Sequence, residues 1–178
     1  MVDFLENHFK NIVTFVDLKS VSDGICNNNT KLYINFDEFI KSLSKNGCLA
    51  GDTFSSPDTL LFKSSENHII FVEFKDMSYF QTVEEIHNWW KNKNISVYLK
   101  ISDSILGLSY YLKNDCDKNC DDFMNITKSF FYVYKADTYK KKIKSHLLSK
   151  FSRYGFLFKN IETMEVETFK RFLATHNL

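Results

Sequence analysis

Two β-rich segments, Thr59-Leu-Leu-Phe62 and Ile69-Ile-Phe-Val72, flank Ser64-Ser-Glu-Asn67, and this pairing constrains the fold more than any other feature of the chain. The polar stretch is turn chemistry between two strand formers, so the spacing predicts a β-hairpin. A two-residue loop at Ser65-Glu66 and a four-residue loop at Ser64 to Asn67 give one register. It sets Lys63 across from His68, Leu61 from Ile70 and Asp58 from Glu73. Opposed residues in a hairpin have Cβ atoms about 4.5–5.5 Å apart, and like charges placed there repel. Because side chains alternate along a strand, Lys75 shares the face of Glu73, roughly 7 Å further on at about 3.3 Å per residue.

Two carboxylates and an ammonium on an otherwise apolar strand pair are costly to bury unless they are paired or bind a metal. Mg²⁺ takes oxygen ligands, needs one or two carboxylates, and keeps waters or phosphate oxygens in its other positions. The plainer alternative is an internal Glu73–Lys75 ion pair at a strand end, with Asp58 merely opening a strand after Pro57.

Pro57-Asp58, fourteen residues, then Glu73-Phe74-Lys75 resembles the signature of the PD-(D/E)XK nuclease superfamily, the restriction-endonuclease-like fold. The resemblance implies an α/β fold with an αβββαβ core, a mixed central sheet flanked by helices. It implies that Asp58, Glu73 and the backbone carbonyl of Phe74 hold Mg²⁺ or Mn²⁺, and that Lys75 is the catalytic lysine. In many members the helix before the sheet adds another acid, for which Glu38 is the candidate and Glu6 the reserve, although both also suit capping boxes. The helix after the third strand often presents a polar residue to the active site, which makes Lys100 a candidate for the site and its nucleic acid.

The 178 residues suit one domain, with the core over about 31–140 and a basic helix and C-terminal extension over 139–178. The amino terminus has no basic, apolar and small-residue succession of a signal peptide, and no apolar run reaches a membrane span. Cys26, Cys48, Cys116 and Cys120 lack metal-site spacing, so they read as free thiols of a cytoplasmic protein. The five glycines are scattered, which excludes a Gly-rich nucleotide loop, and no Gly-x-Ser-x-Gly elbow or paired His motif is present. Asp115 to Asp122 is no EF-hand, because the sixth and twelfth positions hold Cys120 and Ile126. It reads as a solvated acidic loop.

A net charge of +1 does not announce a nucleic-acid binder, and its distribution is more telling. Lys135, Lys140, Lys141, Lys142, Lys144, Lys150, Arg153 and Lys159 face a single acid, Asp137, in one stretch, which can neutralise phosphates as well as form a solvated helix face. Only Arg153 and Arg171 are available for bidentate base readout, so weak sequence specificity is expected.

Elsewhere Asp3 and Glu6 suggest a capping box opening a helix over 3–17 with Leu5, Phe9, Ile12 and Val16 on one face. Residues 18–30 read as a loop. Asn35 with Glu38 opens a second helix ending near Asn46-Gly47, and 48–54 suit a first strand. Thr82 with Glu85 caps a short helix that stops at Lys91 to Asn94, before a long helix over 96–113 with Val97, Ile101, Ile105, Leu108 and Leu112 on its core side. Strands are expected at 130–134 and 156–158, and helices at 139–154 and 165–176. These readings lead to a Mg²⁺-dependent nuclease acting on DNA rather than RNA, with a homodimer compatible. A non-catalytic nuclease-like module that binds protein or nucleic acid, and an RNA endonuclease of the same superfamily, are the alternatives.

Overall fold

A mixed four-stranded sheet carries helices on both faces. The computed structural model describes residues 1–27, 31–45, 55–137, 143–145, 151 and 154–178. In chain order the elements are α1 (Val2–Ile12), β1 (Phe15–Asp17), α2 (Leu18–Val21), β2 (Leu32–Ile34), α3 (Phe36–Lys45), β3 (Thr59–Lys63), a 3₁₀ turn (Ser64–Glu66), β4 (His68–Asp76), α4 (Val83–Asn114), α5 (Cys120–Met124), β5 (Thr127–Lys135), β6 (Asn160–Glu165) and α6 (Val166–His176). The sheet order is β3-β4-β5-β6, while β1 and β2 pair antiparallel beside it. β3 and β4 form the expected antiparallel hairpin, with Lys63 opposite His68 and Leu61 opposite Ile70. The loop is the four-residue one, and Asn67 closes it at φ 47°, a left-handed position that Asn tolerates. β4 then pairs parallel with β5, and β5 with β6, so α4 lies on the crossover between β4 and β5.

Period-two alternation sorts the strands onto two cores. Ile69 and Phe71 of β4 and Phe130, Tyr132 and Tyr134 of β5 join Leu5 and Phe9 of α1, Ile40 of α3 and the inner stripe of α4. Ile70, Val72, Phe74, Phe131 and Val133 meet Leu18 of α2 and Phe169 and Leu173 of α6 on the other face. Glu73 belongs to the α4 face by the same alternation. No helix among the described residues is long and apolar enough to cross a membrane.

Several elements differ from the sequence reading. α1 begins without a side-chain cap and stops at Ile12, because Phe15, Val16 and Asp17 pair with Ile34, Tyr33 and Leu32 instead of continuing the helix. The expected loop over 18–30 begins with α2, capped by Asp17, whose carboxylate accepts from the Ser20 N–H at 2.7 Å. Thr82 and Glu85 form the anticipated capping box, but α4 runs unbroken through Lys91 to Asn94. Its buried residues Ile86, Trp90, Val97 and Ile101 stay in helical phase, and no Gly or Pro interrupts them. α5 occupies the end of the presumed acidic loop, with Asn119 accepting from the Asp121 N–H at 2.9 Å. Phe156 is a turn residue, 82% exposed, and the last strand lies at 160–165 instead of 156–158. The strand expected at 48–54 lies outside the described residues, as does most of the helix expected at 139–154.

Candidate active site

Asp58 sits immediately before β3 and is fixed from several sides. Its backbone carbonyl accepts from the Phe36 N–H at 3.1 Å, at the start of α3. One carboxylate oxygen, Oδ2, accepts from the Phe74 N–H of β4 at 2.6 Å. The two preceding serines are tied down as well. Fully buried Ser56 donates its hydroxyl to Asp37 of α3 at 2.8 Å, and the Ser55 N–H donates to Asp103 of α4 at 3.0 Å. Pro57 contributes no donor and a fixed φ, so the segment reaches β3 with few conformations to lose.

The antiparallel register, extended by one residue from Thr59 opposite Val72, sets Asp58 across from Glu73. Glu73 is only 6% exposed. Its partner is Lys100, from the middle of α4, whose ammonium donates to both Glu73 carboxylate oxygens at 2.8 Å and lies 3.9 Å from Asp58 Oδ1. Both carboxylates therefore converge on one cation. Burial, then the charge of Asp58, pushes the Glu73 carboxyl up to about 8, and burial pushes Asp58 up to about 6, with Lys100 opposing both shifts. Burial draws the Lys100 ammonium down, but the charges of Glu73 and Asp58 outweigh it and the net shift is upward, so Lys100 stays charged.

The Lys75 ammonium shares the α4 face and lies 5.7 Å from the ring centroid of Trp89, near the start of α4, within cation–π range. The simple Glu73–Lys75 ion pair is thus replaced by a Glu73–Lys100 pair, with Lys75 held to one side. Tyr132 of β5 is the parallel partner of Glu73 and is fully buried on the same face. Among the described residues its hydroxyl is the one buried side-chain polar atom with no hydrogen-bond partner. Burial, then the charges of Glu73 and Asp58, pushes this phenol well above its ordinary range.

Glu38 is not a ligand of this cluster. It is exposed at the start of α3 and closes on Asn35, whose side chain accepts from the Glu38 N–H and donates to its carboxylate, each at 3.1 Å. Its neighbour Asp37 is the acid of α3 that faces the site, through Ser56 and through its charge on Asp58 and Lys100. The reserve, Glu6, accepts from Ser64 at the opposite, turn end of the hairpin and pairs with Lys10 at 3.2 Å. Of the basic stretch, Lys144 is described and exposed, whereas Lys140, Lys141, Lys142, Lys150 and Arg153 lie outside the described residues.

Asp37, Ser56, Asp103 and Tyr132 are the members of the cluster that the sequence reading lacked. Only Asp37 had a local signal: once Asn35 engages Glu38 as a cap, the adjacent acid is free to turn toward the sheet.

The donor set suits a hard divalent cation. Asp58 and Glu73 supply oxygens that already enclose a positive charge. The Phe74 carbonyl points to the same strand edge as its N–H, where β3 has not yet begun. The unpartnered Tyr132 hydroxyl adds a buried polar group that a hydrated ion or a substrate oxygen would satisfy. Among the described residues no three His, Cys, Asp or Glu side chains gather at one point, so any ion here would rest on two carboxylates, a number sufficient for Mg²⁺.

No protein-family model matches the chain, and neither does any curated protein or solved structure.

Proposed function

We propose that this chain is a Mg²⁺- or Mn²⁺-dependent nuclease that hydrolyses phosphodiester bonds, with DNA as the substrate. The observation that carries the reading is the convergence of Asp58 and Glu73, from neighbouring strands, on one cationic position, with Lys75 on the same sheet face. The order α3, β3, β4, α4, β5 also suits a restriction-endonuclease-like core.

Asp58, Glu73 and the Phe74 carbonyl would hold the ion, which supplies Lewis-acid polarisation of a phosphoryl oxygen and a more acidic bound water. Lys75 orients the attacking water through its ammonium, which lies 5.7 Å from the centroid of the Trp89 ring. As the water oxygen bonds to phosphorus, the bond to the leaving sugar oxygen breaks, the water proton passes to solvent or phosphate, and the departing sugar oxygen takes a proton from solvent to leave as a hydroxyl. The buried face beneath Tyr132 keeps bulk water from Glu73, which strengthens electrostatic stabilisation of the developing charge.

A second reading has one observation in its favour. Lys100 already neutralises Glu73, so the cluster can persist as an internal ion pair in a non-catalytic module. Assays on single- and double-stranded DNA and RNA with Mg²⁺, Mn²⁺ or EDTA separate the two. Metal-dependent cleavage is expected, reduced by about 10²–10⁴-fold in Glu73→Ala and in Lys75→Ala, the range for loss of a group acting on protons or water, with the circular dichroism of the fold retained. Cleavage that survives either substitution refutes the site, and absence of cleavage on every substrate favours the module.

A further inference from the structure

The Lys100 ammonium occupies the position toward which both candidate metal-binding carboxylates point. Resting on the metal-site reading above, we infer that Lys100 is a resident counter-ion that holds the site closed without metal and must be displaced when a divalent ion loads. Three observations support this. Lys100 engages both oxygens of Glu73 at 2.8 Å, so its ammonium occupies the position between them. It reaches Asp58 Oδ1 at 3.9 Å, so the one ammonium spans the whole acidic pair. It also projects from α4, an element separate from the hairpin that carries the acids, so its long stem can withdraw while the strands stay paired.

The displaced ammonium has a destination. Asp37 already acts on the charge of Lys100 from α3, although one of its oxygens pairs with Lys41 and the other accepts from Ser56. Asp103 lies one turn further along α4, at the i+3 spacing that lets helix side chains meet. Lys75 is differently placed, because its ammonium lies over Trp89, outside the carboxylate pair. The two lysines therefore divide the work: Lys100 governs occupancy of the ion position, and Lys75 acts on the water.

Calorimetric titration of Mg²⁺ and Mn²⁺ into wild type and Lys100→Met tests this without any cleavage readout. The variant is expected to bind either ion on the order of tenfold to a hundredfold more tightly, a discounted share of what a unit charge about 4 Å away exerts at an effective dielectric constant near 20. Its melting temperature in EDTA should fall below that of wild type, and Mn²⁺ should raise it by more than it raises wild type. Equal or weaker binding by the variant overturns the inference, and the metal-site reading survives if wild type still binds. Absence of binding by both proteins removes that reading and the inference together. Should Lys100→Met fail to fold, the ¹⁵N resonance of the wild-type Lys100 ammonium decides: it should shift on saturation with Mg²⁺, and an unmoved resonance refutes displacement.

Discussion

Burial and then Asp58 raise the pKa of the Glu73 carboxyl, with Lys100 opposing both, so it titrates above an ordinary glutamate. A carboxyl whose pKa is raised on folding makes the native state bind more protons than the unfolded chain. Its stability contribution is full below the ordinary value of 4.5 and is lost as pH rises toward about 8. Between pH 6.5 and about 8 this fall is reinforced by Asp58, raised to about 6, and opposed by His68 and Lys128, both drawn down by burial. Across that window the metal-free protein should lose up to about 1.4 kcal/mol per pH unit in urea unfolding. Glu73→Gln should flatten the slope and be at least as stable as wild type at pH 8, the mark of a residue kept at a cost in stability. A slope that rises with pH in wild type would show that Glu73 is not the controlling group. Asp58, Glu73 and Lys75 were legible because a hairpin fixes its register locally. Lys100 was reached only through the family resemblance. Tyr132 and Asp37 were not legible, since their places depend on which strand lies beside β4 and which side of α3 the cap leaves open.

At the scale of elements, α4 matters most, because it carries Trp89, Lys100 and Asp103 on one continuous helix. Its start is fixed by Thr82, whose hydroxyl accepts from the Glu85 N–H at 3.2 Å while the Glu85 carboxylate accepts from the Thr82 N–H at 3.2 Å. Thr82→Ala should cost about 1 kcal/mol in urea unfolding, and it should lower apparent ion affinity little, because Lys100 lies several turns away. A loss within error would mean that core packing alone sets the helix start. Elements with internal periodicity were readable in advance, as the hairpin, α3, the capping box of α4 and α6 show. The two strand misreadings share one cause. Phe15 to Asp17 could extend a helix or form a strand, and the choice falls to β2, a partner distant in sequence. Phe156 to Phe158 has strand-like composition, but β5 takes Asn160 to Glu165 as its neighbour.

Across the whole molecule, net charge is nearly balanced, while the segment between β5 and β6 carries seven of the 23 Lys and Arg residues against one acid, Asp137. If that segment tracks a phosphate backbone, Lys141→Glu, Lys142→Glu and Lys144→Glu together should weaken polynucleotide binding at low salt. The slope of log affinity against log salt should flatten by roughly 0.7–0.9 for each phosphate that is no longer neutralised. Unchanged affinity at low salt would exclude the segment from the interface. The fastening of Asp58 to Phe36, Phe74 and, through Ser55, Asp103 also bears on the birth of the protein. A nascent chain that has not yet released α4 from the ribosome carries both acids without Lys100 and Asp103, the α4 side chains that complete the cluster. With folding proceeding by units during synthesis, the two acids meet their shared counter-ion only once α4 has folded against the sheet.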